Sequence, residues 1–202
     1  MSRPTYHCLI GSQEADLPIV ELNDDTAIAL LITVDLGLRF CEVAGAELAA
    51  VLRELDVEVV ASLATMGIPI AIEVTRHLGL DQYVILHKTP KIHLADAIAE
   101  PVRSITTAAP QRLLFDRARI PTVRGRRVAL IDDVVSTGGS CAAALRLLRA
   151  VGAEPVAVGA IVSEGDAWKG TLGDDSSLVR VLGELPLFRP VGDGSYVIAG
   201  AD

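Results

Sequence analysis

The residues best placed to do chemistry lie in one run, Val128-Ala129-Leu130-Ile131-Asp132-Asp133-Val134-Val135-Ser136-Thr137-Gly138-Gly139-Ser140. Residues 128–131 are apolar and read as a buried strand, and two adjacent carboxylates, Asp132 and Asp133, follow at its exit. A small turn rich in hydroxyls and glycine then opens a helix. A helix N-terminus offers unpaired N–H groups and the positive end of the macrodipole, which suits a phosphate dianion. Gly138 and Gly139 let the backbone curl around such an anion without a Cβ in the way. The hydroxyls of Ser136, Thr137 and Ser140 add donors. Asp132 and Asp133 can accept hydrogen bonds from a vicinal diol of the kind ribose carries, or lie beside a hydrated Mg2+.

Each half of this run has other uses. A strand-exit Asp pair also serves receiver-type phosphoacceptor domains and nucleotide hydrolases. The chain contains no G-x-x-x-x-G-K-[ST], which removes the common hydrolase reading, and no G-x-G-x-x-G after a strand, which weakens a dinucleotide fold. The Ser-Thr-Gly-Gly-Ser continuation is what lifts the run above a structural Asp pair. Other residues carry less. His87 and His93 have no partners at metal-like spacing and read as ordinary polar residues. Arg124, Arg126 and Arg127 read as a solvated turn before the strand. Trp168 and Phe188 suit stacking on a base and anchoring a core equally well.

Positioning this run takes alternating strands and helices. Residues 27–34 are apolar and partly β-branched, which predicts a strand. Leu48, Val51, Leu52 and Leu55 recur at helical spacing and predict a helix over 44–55. Residues 57–63 read as a short buried strand. A helix is expected over 68–78, with Pro69 in its first turn and Gly79 closing it. Residues 83–87 read as the next strand. The roughly forty residues from 88 to 127 show no clear core pattern, with short β-like pieces such as 102–106, and predict a functional arm or flap. A helix over 140–151, closed by Gly152, and a strand over 156–162 follow. The tail after Ser163 reads as irregular. Strand–helix alternation with all-apolar strands predicts a parallel sheet covered on both faces, with ligands bound at the carboxyl ends of its strands.

The bulk properties narrow the partners. A length of 202 residues, half of them hydrophobic, suits one domain with a full core. The net charge of −8 leaves no basic surplus for broad nucleic-acid binding, though it is compatible with one anionic metabolite held by a few local cations. The longest apolar run, 57–74, contains Glu58, Gly67, Pro69 and Glu73 and is a poor membrane span. Residues 1–16 are polar, so no signal peptide is expected. Cys8, Cys41 and Cys141 are odd in number and lack metal-like spacing. They read as reduced thiols, which predicts a cytoplasmic protein.

The run from Val128 to Ser140 resembles the signature by which type I phosphoribosyltransferases hold 5-phosphoribosyl-1-pyrophosphate (PRPP). The resemblance extends over about 57–162. Tyr83-Val84-Ile85-Leu86-His87-Lys88-Thr89-Pro90-Lys91 is similar to the strand-plus-lysine stretch of the adenine and xanthine enzymes. Ser104-Ile105-Thr106-Thr107, followed by Gln111, resembles the flexible catalytic arm of the xanthine type. The resemblance implies an α/β fold, a parallel sheet flanked by helices with a small hood, here drawn from 1–43 and 163–202 of a single domain. It implies transfer of the phosphoribosyl group from PRPP to a base nitrogen of a purine-like base, with Mg2+ as cofactor and pyrophosphate released. A homodimer is expected.

By the same resemblance, Asp132 and Asp133 hold the ribose hydroxyls, with Mg2+ nearby through PRPP and water, and Val135, Ser136, Thr137, Gly138, Gly139 and Ser140 cradle the 5-phosphate. Thr65, Met66 and Gly67 occupy the place of the pyrophosphate loop, although Thr65 and Gly67 equally suit a plain tight turn. Lys88 is expected to reach pyrophosphate, with Lys91, Ser104 and Thr106 as further PRPP contacts. The chain departs from many relatives in having no Arg or Lys in the pyrophosphate loop, which leaves that charge to Lys88, Lys91 and Arg103. It also lacks the tyrosine-rich arm of typical adenine enzymes. Two rival readings share the signature. One is a PRPP-binding regulator without turnover. The other is a PRPP synthase, for which 202 residues are too few.

Overall fold

The computed structural model describes residues 3–94, 96–102, 111–192 and 194–200. In chain order these form β1 (Thr5–Ile10), β2 (Gln13–Asn23), β3 (Thr26–Ala29), α1 (Thr33–Leu52), β4 (Val59–Leu63), α2 (Gly67–His77), β5 (Tyr83–Leu86), β6 (Ile98–Val102) and β7 (Gln111–Phe115). There follow α3 (Ile120–Val123), β8 (Arg127–Val135), α4 (Gly139–Ala150), β9 (Glu154–Glu164), α5 (Ala167–Leu172), β10 (Val179–Leu185), β11 (Leu187–Pro190) and β12 (Tyr196–Ile198).

The central sheet has the order β10-β9-β8-β4-β5, and every neighbouring pair is parallel. Its strands are apolar throughout because both faces are covered. Val59, Ala61 and Leu63 face a core shared with α4, whereas Val60 faces the core shared with α1 and α2. A second sheet, β1-β2-β3-β11-β12, is antiparallel and built from the two ends of the chain. Its inner side chains, among them Ile10, Leu17, Ile19 and Phe188, belong to the same core as α1 and α2.

Several expectations are corrected. The strand expected over 27–34 stops at Ala29, and a helix has begun by Thr33. Its buried stripe is Phe40, Cys41, Ala44, Gly45, Leu48, Ala49 and Leu52, whereas Val51 is 46% exposed. Small residues carry much of that stripe, so leucine spacing alone placed the start too late. Gly37, at φ 84°, interrupts the first turns of α1. The stretch 88–127 does have a core pattern: β6 and β7 pair antiparallel, and Leu113, Phe115 and Val123 are fully buried beside α4. The tail is regular as well, since β10 extends the central sheet and β11 and β12 join the second one. β10 is an edge strand of half-buried residues, which blurs its hydrophobic pattern. Arg127 is no free turn residue. Its Nη1 donates to Glu154 at 3.1 Å, and its Nε and Nη2 donate to the carbonyl of Leu55 at 3.3 and 3.1 Å.

Trp168 and Phe188 act as core anchors. Phe188 packs edge-on against Tyr6, with ring centroids 5.1 Å apart. Buried Trp168 donates its indole N–H to the carbonyl of Gly165 at 3.1 Å.

The tightest helix contact sits at Gly45 on α1. A Cβ there would lie 2.3 Å from Cβ of Glu73 and 3.1 Å from its backbone carbonyl carbon, so only glycine lets α2 approach this closely. Gly45→Val is expected to lower stability by about 1–3 kcal/mol through overpacking. Urea unfolding checks this, and an unchanged midpoint would mean that the helices separate without cost.

Candidate functional site

The carboxyl edge of the central sheet gathers the chemistry-bearing residues. β8 runs through Asp132 and Asp133 to Val135 instead of ending before them, because β9 continues alongside it and pairs Asp132 with Ala160 and Val135 with Ser163. The carboxylates therefore sit inside the strand. Asp132 is buried, 7% exposed, and Asp133 is half-buried. Oδ1 of Asp132 accepts the backbone N–H of Asp133 at 3.0 Å. Burial above all, then the charge and side-chain hydrogen bond of Asp133, hold the Asp132 carboxyl well above its ordinary value of 3.8; Lys88 pulls the other way.

The turn beyond the strand leads into α4. Ser136 is half-buried, Thr137 is exposed, and Gly138 caps the helix with φ 78°, a left-handed conformation that favours glycine. Gly138 has a second reason to be glycine. A Cβ there would lie 3.1 Å from Cα and 3.2 Å from Cβ of Trp168, and 3.2 Å from Cβ of Thr171. The close approach is to the start of α5.

Glu164, at the end of β9, was missed in the sequence. It is 6% exposed, and its Oε2 accepts the hydroxyl of Ser136 at 2.7 Å. Burial raises its pKa, and the Ser136 hydrogen bond opposes that rise. An acid closing an otherwise apolar strand was the available signal.

Thr65, Met66 and Gly67 link β4 to α2. Gly67 presses against the carboxylate strand: a Cβ on it would lie 2.9 Å from Oδ1 and 3.0 Å from Cα of Asp132. The peptide between Ala64 and Thr65 is cis. The carbonyl of Met66 accepts the hydroxyl of Thr33 at 3.0 Å, and Thr33 is fully buried. Thr33 too was missed. The loop is thereby tied to the first residue of α1.

Lys88 follows β5 and is exposed. A cavity of about 160 Å³ is lined by Lys88, by Asp132, Asp133, Val134 and Val135 of β8, by the turn from Ser136 to Gly138, and by Ser140 and Cys141. The structure thus brings Lys88 together with the carboxylate pair and the turn. Thr65, Met66, Gly67 and Lys91 are not among the described residues lining that cavity. Lys91 lies beyond Lys88, and its charge helps to lower the pKa of His87, after burial and the charge of His93. The rings of His87 and His93 meet edge-on, 5.8 Å apart. Among the described residues no group of three or more His, Cys, Asp and Glu side chains is placed to hold a metal. The Cys141 thiol is buried, and burial, with Asp132 nearby, pushes its pKa up, which disfavours the thiolate. Ser104, Thr106 and Arg103 lie outside the described residues.

The raised pKa of Asp132 has a definite sign for stability. The folded state holds this proton to higher pH than the unfolded chain, so stability is lost as pH rises from the ordinary carboxylate range through the folded value. Asp132→Asn removes that penalty. The variant is expected to melt higher than the parent at neutral pH, with the gap closing as pH falls toward 3.8. Thermal melts across pH test this, and a pH-independent loss of stability would contradict it.

Comparison with known proteins agrees with this architecture. The model of the phosphoribosyl transferase domain matches residues 42–183. An orotate phosphoribosyltransferase of Caldanaerobacter subterraneus subsp. tengcongensis is 28% identical over 128 residues, 63% of this chain and 56% of that protein. A transcriptional regulator, GfcR, of Methanocella arvoryzae is 30% identical over 119 residues, 58% of this chain and 52% of that one. An adenine phosphoribosyltransferase of Mycobacterium avium is 50% identical over a shorter stretch of 67 residues, 33% of this chain and 32% of that protein. The chain spans about half the length of the first two of these relatives. The crystal structure of an adenine phosphoribosyltransferase from Thermoanaerobacter pseudethanolicus superposes with a TM-score of 0.62 at 18% identity, covering 72% of this chain and 81% of that one. The fold is that of the type I phosphoribosyltransferases, and with the family model spanning most of its length the chain belongs to the phosphoribosyl transferase domain family.

Proposed function

We propose that this protein transfers the 5-phosphoribosyl group of PRPP to a purine-like base and releases pyrophosphate. The observation that carries this reading is the single cavity in which Lys88, the Asp132–Asp133 pair and the turn from Ser136 to Gly138 converge. A phosphate fits the turn before α4, where Thr137 and Ser140 supply hydroxyls and Ser136 adds its own on releasing Glu164. A ribose diol fits the carboxylates one step along β8. Lys88 stands across the cavity, where an anionic leaving group needs a counter-charge.

In the reaction the bond from the anomeric carbon to the pyrophosphate oxygen breaks, its electron pair leaves with pyrophosphate, and a base nitrogen bonds to that carbon. The transition state resembles an oxocarbenium ion, so the protein has no covalent step to perform. Its residues hold the donor, place charge near the leaving group and keep out water. Asp132 and Asp133 offer the donor set suited to Mg2+ of the kind held by one or two carboxylates, ligand phosphates and water. When bound, Mg2+ offsets charge on the pyrophosphate. Thr65, Met66, Gly67, Lys91, Ser104 and Thr106 belong to the same reading as further PRPP contacts, and the second sheet serves as the hood over the base. The reading extends to a cytoplasmic homodimer, which sedimentation can check. Among the described residues no helix is long and apolar enough to cross a membrane.

A purine acceptor is favoured by the stretch Tyr83–Lys91 and by the 50% identity shared with an adenine enzyme over 67 residues. The longer match to an orotate enzyme points the other way at 28% identity. The match to a transcriptional regulator supports, as second reading, a protein that binds PRPP without turnover.

Incubation with PRPP, Mg2+ and each of adenine, hypoxanthine, guanine, xanthine, uracil and orotate is expected to yield a purine nucleotide and pyrophosphate. A pyrimidine product would overturn the acceptor, and tight PRPP binding with no product would favour the regulator. Replacing both Asp132 and Asp133 by Asn is expected to cut turnover by about two orders of magnitude or more, since hydrogen bonds to charged groups are worth roughly 1.5–3 kcal/mol each. Near-parental turnover would remove the pair from the site. Thr137→Ala, at an exposed position, is expected to weaken PRPP binding in calorimetric titration without changing the melting temperature.

A further inference from the structure

Ser136 belongs to the turn that suits a phosphate, yet its hydroxyl is already engaged by an anion of the protein itself. Glu164 ends β9 next to Ser136, one step beyond the paired residues Val135 and Ser163. Its carboxylate is buried, and among the described residues the Ser136 hydroxyl, at 2.7 Å, is its one hydrogen-bond donor. That distance suits a hydroxyl donating to an ionised carboxylate. A serine hydroxyl has a single proton to donate. Ser136 also lines the cavity shared with Lys88 and the carboxylate pair, so its hydroxyl cannot serve Glu164 and a phosphate at once. A buried carboxylate left without a donor is costly, and it escapes the cost by taking a proton. Charged groups stand on the elements around it. β8 carries Asp132 and Asp133, with Lys88 on the wall of the same cavity. β10 pairs Leu185 with Glu164 and puts Glu184 beside it, and Asp166, just before α5, is ion-paired with Lys169. What moves the Glu164 carboxyl is burial, upward, and the Ser136 hydrogen bond, downward. Withdrawing that bond and adding a phosphate both act upward.

We propose that Glu164 is a positioning residue that couples phosphate binding at the turn before α4 to the uptake of one proton. The inference rests on the transferase reading and deepens it, giving the phosphate turn a pH dependence of its own. When a phosphate enters, Glu164 takes a proton from solvent. Its new O–H donates to Oγ of Ser136, and the Ser136 O–H turns from Glu164 to a phosphate oxygen. No covalent bond other than the carboxyl O–H forms or breaks. The bound state holds this proton to higher pH than the free state. Affinity is therefore full below the free value and falls as pH rises through the window between the free and bound values. The phosphate of the ligand acts in the opposite sense, because its second proton leaves near a pKa of about 6 and the dianion accepts hydrogen bonds better.

The test uses the full chain as parent, Glu164→Gln and Ser136→Ala. Each is titrated calorimetrically with ribose 5-phosphate across pH, without Mg2+, in buffers of different ionisation enthalpy. The amide of Glu164→Gln supplies the donor that the parent gains only on protonation. The parent is expected to take up a proton on binding, read from the buffer dependence of the heat, and Glu164→Gln to take up less. The affinity of Glu164→Gln is expected to gain on the parent by up to about tenfold per pH unit across the window. Ionisation of the ligand is common to both and cancels in that ratio. Ser136→Ala is expected to bind more weakly at low pH and to lose the proton uptake, since it has no donor to withdraw. A ratio that does not move with pH would overturn the coupling and leave the transferase reading standing. Full proton uptake in Ser136→Ala would overturn it as well, as would weaker binding by Glu164→Gln at every pH. A parent that fails to bind ribose 5-phosphate would remove the phosphate turn from the transferase reading and this proposal with it.

Discussion

A carboxyl group 7% exposed at the edge of an apolar sheet must keep its proton or find donors, because an ionised carboxylate without them costs several kcal/mol. Asp132 is in this position. Among the described residues one backbone N–H reaches it, from Asp133, and the charge of Lys88 favours its ionised form. The start of α2 lies directly against it, close enough that Gly67 has no room for a Cβ. The site therefore depends on a strained electrostatic balance held in place by packing.

Three further contacts hold the surroundings of Asp132 in register. Thr33 bonds the carbonyl of Met66 and so links α1 to the loop before α2. Glu164 bonds Ser136 and so links the end of β9 to the turn before α4. The start of α5 presses on Gly138 through Trp168 and Thr171. Each joins an element remote in sequence to one of the loops at the sheet edge. The loops can then be short and polar, since their shape is set by neighbours that are themselves packed in the two cores.

The two cores explain how one sheet edge acquires walls of different character. On the α4 side, the β6–β7 ribbon buries Leu113 and Phe115 and leaves Arg112 facing outward beside Lys88. On the α1 side, the chain ends build an antiparallel sheet whose apolar face continues the core. The first wall is cationic, whereas the apolar face of the second sheet is spent on the core.

The sequence by itself determined the parallel sheet and singled out the run at its edge that lines a cavity in the structure. All-apolar runs such as Val128–Ile131 can be buried only when covered on both faces, and Asp-Asp followed by hydroxyls and glycines has few other uses at the edge of such a strand. Lys88 was legible because it stands at the end of β5. Tertiary structure alone decided the rest. β8 extends past its carboxylates because β9 pairs with it, a fact no local pattern holds. The helix α1 hides its start because Ala, Gly and Cys carry its buried stripe. Glu164 and Thr33 meet partners 28 and 33 residues away, at Ser136 and Met66, and Arg112 shares a cavity wall with Lys88, placements that no local pattern holds. Gly138 was recognised as a required glycine, and the atoms of α5 that crowd it add a constraint the local sequence does not hold. Local patterns report what a residue does to its own backbone and burial, whereas contacts between distant segments are settled only when the layers pack.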